Sequence, residues 1–333
     1  FLIVFSGISW AQDAVPVGQT DAPPAGQVEG DVGADVFGEK GGIFHPFISF
    51  EAKYNDNIYF QNKNEKSDLI TTIAPGIWIA VPANKEKILA FSTAALSPGG
   101  LQVGRLKPDG NRKYQTYLLY SPQFVYYSDY SENDHTNHKF EGSFQYNFNS
   151  GLSLDIMDQY NIKEEVIDSI SSEDLYEYDD NIFSFLLTYA PSEKFKFRFD
   201  YSNYMLDYDD NFNAFRDRTD NSYAFYIFYK IKPKTSIFVE YDFADIEYDT
   251  AVGRDSQESR YYAGVAWEMT AKSTGQFKAG MSQKDFDDAA IEDNDIFSLE
   301  LQLQHQIDAK KSVTATGYRQ FNETALVLAD YFT

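Results

Sequence analysis

Hydrophobic and polar residues alternate along the chain from residue 44 to its end. Between residues 139 and 163, Phe140, Phe144 and Phe148 occupy one parity, whereas Glu141 and Gln145 occupy the other. A period of two is typical of a β-strand with one apolar face and one polar face. The alternation predicts strands over 44–60, 67–82, 113–130, 136–149, 151–164, 177–190, 193–208, 219–232, 234–248, 258–270, 273–286, 294–307 and 311–323, with another beginning at 325.

The connections between the predicted strands alternate in length. Tight turns are expected at 149–151, 191–193, 232–234, 271–273 and 308–310, and longer acidic loops at 165–176, 209–218, 249–257 and 287–293. Short turns at one end and long loops at the other are the pattern of bacterial outer-membrane barrels, in which the short turns face the periplasm.

Strand length helps to decide what covers the apolar face. Strands of soluble sheets have about five to six residues, whereas the runs here last roughly 12–16 residues and a tilted transmembrane strand needs about 9–11. The sequence therefore predicts an all-β protein, an antiparallel up-and-down transmembrane β-barrel with about 13–14 strands present, in the Gram-negative outer membrane. A soluble β-sandwich adhesin, in which a second sheet covers the apolar faces, remains an alternative.

The two parities give two sets of candidate residues. The apolar set is expected to face outer-membrane lipid and lipopolysaccharide: Phe144, Phe148, Phe183, Phe185, Phe195, Phe197, Phe199, Val239, Leu299 and Leu301. The polar set is expected to line the lumen: Asp155, Gln159, Lys196, Arg198, Asp200, Glu240, Asp242, Glu300, Gln302 and Gln304. Mixed charges and amides suit a hydrated path or a hydrogen-bonded plug. Most tyrosines are expected in the interfacial girdle rather than against sugar rings.

Three segments depart from the strand pattern. Residues 1–11 combine a short apolar run with small residues at a cleavage-like site, which predicts the remnant of a secretory signal peptide, the alternative being a buried strand. Residues 12–43 are rich in Gly, Pro, Asp and Ala and predict a flexible periplasmic linker before a barrel over 44–333. Residues 84–112 interrupt the barrel pattern where a periplasmic turn is expected, as an extra hairpin or a small inserted element.

Composition narrows the class of protein. The formal net charge of -23 argues against a nucleic-acid partner, because phosphate repels such a surface. Twenty-five Tyr and 28 Phe with a mean hydropathy of -0.45 suit a barrel, in which half of each strand is polar. The absence of Cys leaves neither a disulfide framework nor thiolate chemistry to propose.

No motif predicts catalysis, a cofactor or a metal. The chain lacks a G-x-S-x-G elbow, an H-E-x-x-H motif and a glycine-rich phosphate loop. His135 and His138 have no identifiable further ligands and are expected in a solvated loop or at the rim. The acidic runs 207–210 and 285–295 lack the glycine of a twelve-residue calcium loop and are expected to be solvated external loops.

Two stretches carry a family resemblance. The run YNDNIYFQNKNEKSDLITTIAPGIWI at 54–79, and the stretch at 120–140 with Asp134 and His138, resemble the outer-membrane β-barrel porins encoded in exopolysaccharide gene clusters. The similarity covers about 44–323. The resemblance implies a barrel of about sixteen to eighteen strands that helps a polysaccharide cross the outer membrane together with periplasmic export partners. Because 13–14 strands fall short of that count and Thr333 replaces a terminal aromatic residue, C-terminal strands are expected to be missing.

The leading hypothesis is a non-enzymatic barrel that assists exopolysaccharide export. The alternatives are a general diffusion porin or small-solute channel, an outer-membrane enzyme with a Ser-His-acid cluster at the rim, and the soluble adhesin. Only four His are present to support the enzyme. A large, stable single-channel conductance would favour the diffusion porin, whereas a closed or plugged barrel would favour a gated exporter.

Overall fold

The computed structural model describes most of the strands and a smaller part of the connections. The described residues are 2–10, 42–59, 64–83, 97–100, 113–165, 175–250, 253–270, 273–308, 311–323 and 331–332. The predicted linker at 12–43 lies almost wholly outside them, as does most of the predicted insertion at 84–112.

One large antiparallel sheet dominates the fold. Its strands are β1 (Leu2–Trp10), β2 (Phe44–Asn55), β3 (Asp68–Val81), β4 (Tyr114–Tyr127), β5 (His135–Asn147), β6 (Leu152–Glu165), β7 (Tyr176–Tyr189), β8 (Phe195–Tyr208), β9 (Arg218–Lys232), β10 (Thr235–Tyr248), β11 (Ser256–Thr270), β12 (Ser273–Phe286), β13 (Asn294–Asp308) and β14 (Lys311–Arg319). A separate two-stranded pair follows, β15 (Asn322–Glu323) with β16 (Tyr331–Phe332).

Neighbours in the sequence are neighbours in the sheet from β2 to β14, so the chain runs up and down without a crossover. Most of these strands have 13 to 15 residues, which matches a tilted membrane crossing with overhang. The predicted all-β up-and-down fold is confirmed, and a two-sheet sandwich is wrong for this chain. Within the described residues no hydrogen-bonded pairing joins β2 to β1 or β14, so the sheet is not closed.

The N-terminal segment pairs as an edge strand. Backbone partners such as Leu2 with Tyr318 and Trp10 with Lys311 place β1 antiparallel to β14. This pairing does not test whether residues 1–11 are removed on maturation, so the signal-peptide remnant stays a prediction. The larger strand count and the missing C-terminal strands also stay predictions.

The two faces of the sheet differ in what covers them. Residues 97–100 and 320–323 pack against one face, which we call the inner face, through bonds to β9, β10 and β12. The opposite, outer face carries large apolar side chains without a protein cover, among them Phe197 at 41% exposure and Val239 at 54%. A protein exposes this much apolar surface where that surface is covered by a membrane or by another protein.

The apolar band of the outer face lies towards the tight-turn end. Along β8 the outward positions are Phe195, Phe197 and Phe199, followed by Tyr201 and Asn203. The same order recurs on neighbouring strands. Where the outward side chains change from apolar to polar, tyrosine rings of adjacent strands pack against each other, with ring centroids 5.2 Å apart for Tyr201–Tyr223 and 5.0 Å apart for Tyr241–Tyr261. This row matches the aromatic girdle that marks a membrane interface.

The lipid assignment predicts the effect of a charge on this face. Phe197→Arg is expected to lower the free energy of unfolding in lipid vesicles by about 2–4 kcal/mol, because the guanidinium meets hydrocarbon near the midplane. Lys196→Gln, on the opposite parity, is expected to cost much less. Urea unfolding of both variants in vesicles measures the difference, and equal losses would contradict the assignment.

The ends of the sheet can be distinguished by chemical labelling. Ser150 and Ser192 lie in exposed tight turns at one end, whereas Phe212 lies 64% exposed in the long β8–β9 loop at the other. Because the chain has no Cys, single cysteines at these positions report orientation directly. On intact cells a membrane-impermeant thiol reagent is expected to label position 212 and to spare positions 150 and 192. The reverse pattern would invert the orientation.

No helix within the described residues is long and apolar enough to cross a membrane, a result that bears on helical spans and not on strands.

Candidate functional site on the inner face

A short turn of the chain docks on the inner face of β9. Residues 97–100 lie between β3 and β4, whose adjoining ends are at the tight-turn end of the sheet. Yet the N–H of Gly99 donates to Asp220 Oδ2 at 2.8 Å, and Arg218 Nη2 donates to the carbonyl oxygen of Ser97 at 3.1 Å. Both partners lie where β9 begins, beside the long loops. This part of the predicted insertion thus lies against the inner face of the sheet.

Glycine is required where this turn meets the wall. Gly99 and Gly100 have φ of 70° and 72°, in the left-handed region that favours glycine. A Cβ at Gly100 would overlap the ring of Tyr204, and a Cβ at Gly99 would overlap the hydroxyl of Ser222. The backbone therefore approaches the inner wall as closely as glycine permits.

A second segment docks beside the first one. Gln320 Nε2 donates to Ser97 Oγ at 2.9 Å. Glu323 accepts from Lys284 Nζ at 2.6 Å and from the hydroxyl of Tyr248 at 2.8 Å. Each of these side chains is buried, and a charge-assisted bond away from water is stronger than one on the surface. We call residues 97–100 and 320–323 the inner segments.

Below the inner segments, buried charges form rows across β8 to β13. Arg198 pairs with Asp200 through two bonds, one of them 2.6 Å long from Nε to Oδ1. Arg260 Nε lies 3.0 Å from Glu258 Oε1. We call these four residues, together with Glu240, Asp242, Lys278 and Glu300, the inner charge cluster.

Lys278 connects two strands within this cluster. Its Nζ lies 2.6 Å from Glu240 Oε1 on β10 and 3.0 Å from Glu300 Oε2 on β13. It also lies 4.6 Å from the centroid of the Tyr262 ring. One buried ammonium thus holds two carboxylates on strands that are separated by β11 and β12.

Aromatic side chains fill part of the inner face nearer the tight turns. Tyr226, Phe228 and Phe238 form a buried cluster. Lys196 Nζ lies 4.7 Å from the Phe228 ring centroid, and the Arg198 guanidinium lies 4.9 Å from that of Tyr226. The inner face is therefore a mixed wall of charges and rings rather than a uniformly polar one.

The residues predicted to line the lumen lie on this inner face where their side chains are described. Asp155, Gln159, Arg198, Glu240 and Glu300 are buried, whereas Lys196, Asp200, Asp242 and Gln302 are half-buried. The side chain of Gln304 lies outside the described residues. The structure brings together Arg198 with Asp200, and Glu240 and Glu300 through Lys278. Asp155 and Gln159 lie apart on β6. Whether any of them contacts a solute stays a prediction.

The residues predicted to face lipid all lie on the outer face. Phe144, Phe148, Phe195, Phe197 and Val239 are exposed there. The others are half-buried between neighbouring side chains: Phe183, Phe185, Phe199, Leu299 and Leu301. Their contact with lipid itself stays a prediction.

Sequence reasoning missed Lys278, Arg260 and Glu258, although their parity contains a usable signal. The outward run Tyr261, Ala263, Val265 and Trp267 on β11 requires that Glu258 and Arg260 point inwards. The docking of residues 97–100 had no such signal, because it depends on a contact with residues more than a hundred positions away.

Aspartates at the long-loop end organise the hairpins. In four long-loop hairpins an Asp just before the next strand accepts the backbone N–H of an aromatic residue that ends the preceding strand, at 2.7–3.0 Å: Asp134 from Tyr127, Asp217 from Tyr208, Asp255 from Tyr248 and Asp293 from Phe286. Burial raises the pKa of Asp217 to about 6, although the bond from Tyr208 opposes the rise. Part of the acidic loop sequence is therefore structural.

The predicted loop sites remain ordinary loop positions. His135 Nδ1 bonds to the carbonyl oxygen of Asn133, and His138 Nδ1 bonds to the hydroxyl of Tyr120. In the part of the chain that the structure describes, no group of three or more His, Asp or Glu is arranged to hold a metal ion.

A family comparison identifies the class of protein. The family model described as "Putative beta-barrel porin 2" matches residues 35–329. The chain belongs to this family. It is therefore an outer-membrane β-barrel of the porin class, and the predicted Gram-negative outer-membrane location is confirmed. The family description does not extend to exopolysaccharide gene clusters.

Solved outer-membrane proteins are similar at a low level. OmpT of Vibrio cholerae is 11% identical, with a TM-score of 0.40 over 83% of this chain and 88% of that chain. An outer-membrane channel from Pseudomonas putida F1 is 11% identical, with a TM-score of 0.38 over 92% of this chain and 100% of that chain. No curated protein matches the chain.

Proposed function

We propose that the protein is a gated, non-enzymatic outer-membrane channel that helps an exopolysaccharide to cross the membrane. The observation that supports gating is the docking of the inner segments on the inner face, through Gly99 to Asp220 and Glu323 to Lys284. A channel that holds its own chain against its wall must move that chain before a large solute passes. Support for the polysaccharide comes from the resemblance at 54–79 and 120–140.

The mixed inner wall suits such a cargo. Carboxylates, guanidinium groups and tyrosines alternate on β8 to β13, and they offer hydrogen-bond donors, acceptors and ring faces to a hydroxyl-rich chain. Periplasmic export proteins would deliver the chain at the tight-turn end, and lipid and lipopolysaccharide would surround the outer face.

Deleting the gene in its host and assaying cell-surface polysaccharide tests this proposal. Loss of surface polymer, restored by the wild-type gene, is the expected result. Normal surface polymer in a strain that lacks the barrel would overturn the export role and leave the channel class unaffected.

A general diffusion channel is the second candidate, favoured by the same charged wall and by the family. Single-channel recording of the purified full chain separates the two. Brief, rare openings are expected for a gated exporter. A large conductance that stays open at low voltage would favour the diffusion channel.

A further inference from the structure

A small cavity lies between the inner segments and the wall formed by β8 to β13. Its volume is about 90 Å³, and Pro98, Gly99 and Gln320 cover it from the side of the inner segments. This space is large enough for ordered water molecules or for a small ion with part of its hydration shell.

The charges around the cavity do not balance. The inner charge cluster holds three cationic groups, Arg198, Arg260 and Lys278, against five carboxylates. Asp200 and Glu258 are each paired with an arginine, and Glu240 and Glu300 share the single ammonium of Lys278. Asp242 is the fifth carboxylate; it contacts Glu240 and shares the electrostatic influence of Lys278 and Arg260 with the other carboxylates. With all five carboxylates ionised, the cluster carries two more negative than positive charges, and uncompensated charge away from water is costly.

The ion pairs next to the cluster do not supply the missing charge. Arg218 is paired with Asp220, and Lys284 is paired with Glu323, so both pairs are neutral in themselves. These two pairs therefore do not offset the excess negative charge of the inner charge cluster.

Three buried oxygen atoms around the cavity lack a donor from the wall. Glu240 and Asp242 contact each other through their carboxyl groups; apart from that contact, Glu240 Oε2, Asp242 Oδ1 and Ser222 Oγ have no hydrogen-bond partner among the described residues, and all three residues line the cavity. Glu240 is 4% exposed, so bulk water does not satisfy its second oxygen. Buried polar atoms in folded proteins nearly always have a partner, and these three share one space.

We propose that this cavity binds a divalent cation of the Ca²⁺ type through Glu240 Oε2, Asp242 Oδ1, Ser222 Oγ and water. Carboxylate, hydroxyl and water oxygens are the ligands that hard cations prefer, and Ca²⁺ accepts irregular sets of them. A charge of +2 balances the excess carboxylates. With only two carboxylates as direct ligands, the site belongs to the weak class, with a Kd of about 10⁻⁴–10⁻³ M.

The position of the site gives the cation a structural consequence. Ser222 is the side chain that a Cβ at Gly99 would meet, so one ligand touches the docked turn itself. A bound cation therefore fixes the wall at the point where the inner segments rest on it. Removal of the cation is expected to loosen their docking, whichever solute the channel carries.

Terbium luminescence on the purified full-length protein tests the site. Tyr226 and Tyr262 line the cavity, so excitation of tyrosine is expected to sensitise emission from bound Tb³⁺, and Ca²⁺ is expected to displace it. The double variant Glu240→Gln, Asp242→Asn is expected to weaken the Ca²⁺-displaceable signal at least tenfold. The matched control Asp285→Asn, Asp287→Asn removes the same charge from exposed positions and is expected to keep the signal.

Two further measurements keep the test decisive if the double variant folds poorly. Ser222→Ala removes one ligand without changing charge and is expected to weaken Tb³⁺ binding about threefold or more. Millimolar Ca²⁺ is expected to raise the unfolding midpoint of the wild type and of the exposed control. Absence of a Ca²⁺-displaceable signal in the wild type would mean that only water occupies the cavity. A signal that Ser222→Ala leaves unchanged would mean that the cation binds elsewhere, and either result would overturn the proposal.

Discussion

Replacing Lys278 by methionine is expected to lower the free energy of unfolding by about 3–5 kcal/mol, because removing one partner of a buried ion pair leaves its counter-charge uncompensated. Here two carboxylates, Glu240 and Glu300, lose the same ammonium, which contacts them at 2.6 and 3.0 Å. Methionine fills a similar volume, so the loss reports charge rather than a cavity. Urea unfolding in lipid vesicles, followed by tyrosine and tryptophan fluorescence, measures the change.

Two further variants test whether the loss of stability in Lys278→Met comes from the uncompensated carboxylates or from any substitution of a lysine. Lys230→Met changes an exposed lysine on β9 and is expected to alter stability by no more than about 0.5 kcal/mol. Adding Glu240→Gln to Lys278→Met removes one of the two uncompensated charges and is expected to recover part of the loss. If the double variant is less stable than Lys278→Met alone, the carboxylates do not depend on Lys278 in the way that the geometry indicates.

Gly100→Ala is expected to open the channel. A left-handed φ of 72° is unfavourable for alanine, and the added Cβ overlaps the ring of Tyr204 on the inner wall. Backbone strain of this kind costs about 1–3 kcal/mol, which corresponds to roughly a 5-fold to 150-fold shift towards the undocked turn. Single-channel recording is expected to show a higher open probability than in the wild type.

Gly151→Ala provides the matched control for backbone strain. Gly151 has φ of 79° in the tight turn between β5 and β6, far along the chain from the inner segments. It is expected to lose a similar amount of stability while the conductance stays that of the wild type. Equal changes in open probability for both variants would show that strain anywhere in the barrel opens it, and would remove the special role of residues 97–100.

The strands and their faces could be predicted from the sequence, because every second residue of a strand points to the same face and its polarity indicates what that face contacts. The outward run of Phe195, Phe197 and Phe199 identifies the apolar face of β8 without reference to any other strand. The inward position of Arg198 and Asp200 then follows from the pleat. The two ends of the sheet could be predicted as well, because one end has long loops with Asp and Gly and the other has tight turns such as 149–151.

The pairing among inner side chains could not be predicted in the same way. Lys278 contacts Glu240 because β10 and β12 both flank β11, and their register sets which side chains meet. Alternation identifies the face of a residue and not its partner. The contacts of Ser97 with Arg218 and Gln320 could be predicted even less, because they join three parts of the chain that are far apart in the sequence.

The contact of the outer face with lipid is tested most directly by a fluorophore attached to a cysteine at position 297, which is 50% exposed on β13, in vesicles that contain quencher-labelled lipids. We expect quenching that depends on the depth of the quencher in the bilayer. We also expect Phe197→Leu to be nearly neutral in stability, because hydrocarbon adapts to a smaller side chain, whereas a close-packed protein core would retain a void. Absence of quenching, together with a clear loss of stability in Phe197→Leu, would show that protein rather than lipid covers this face.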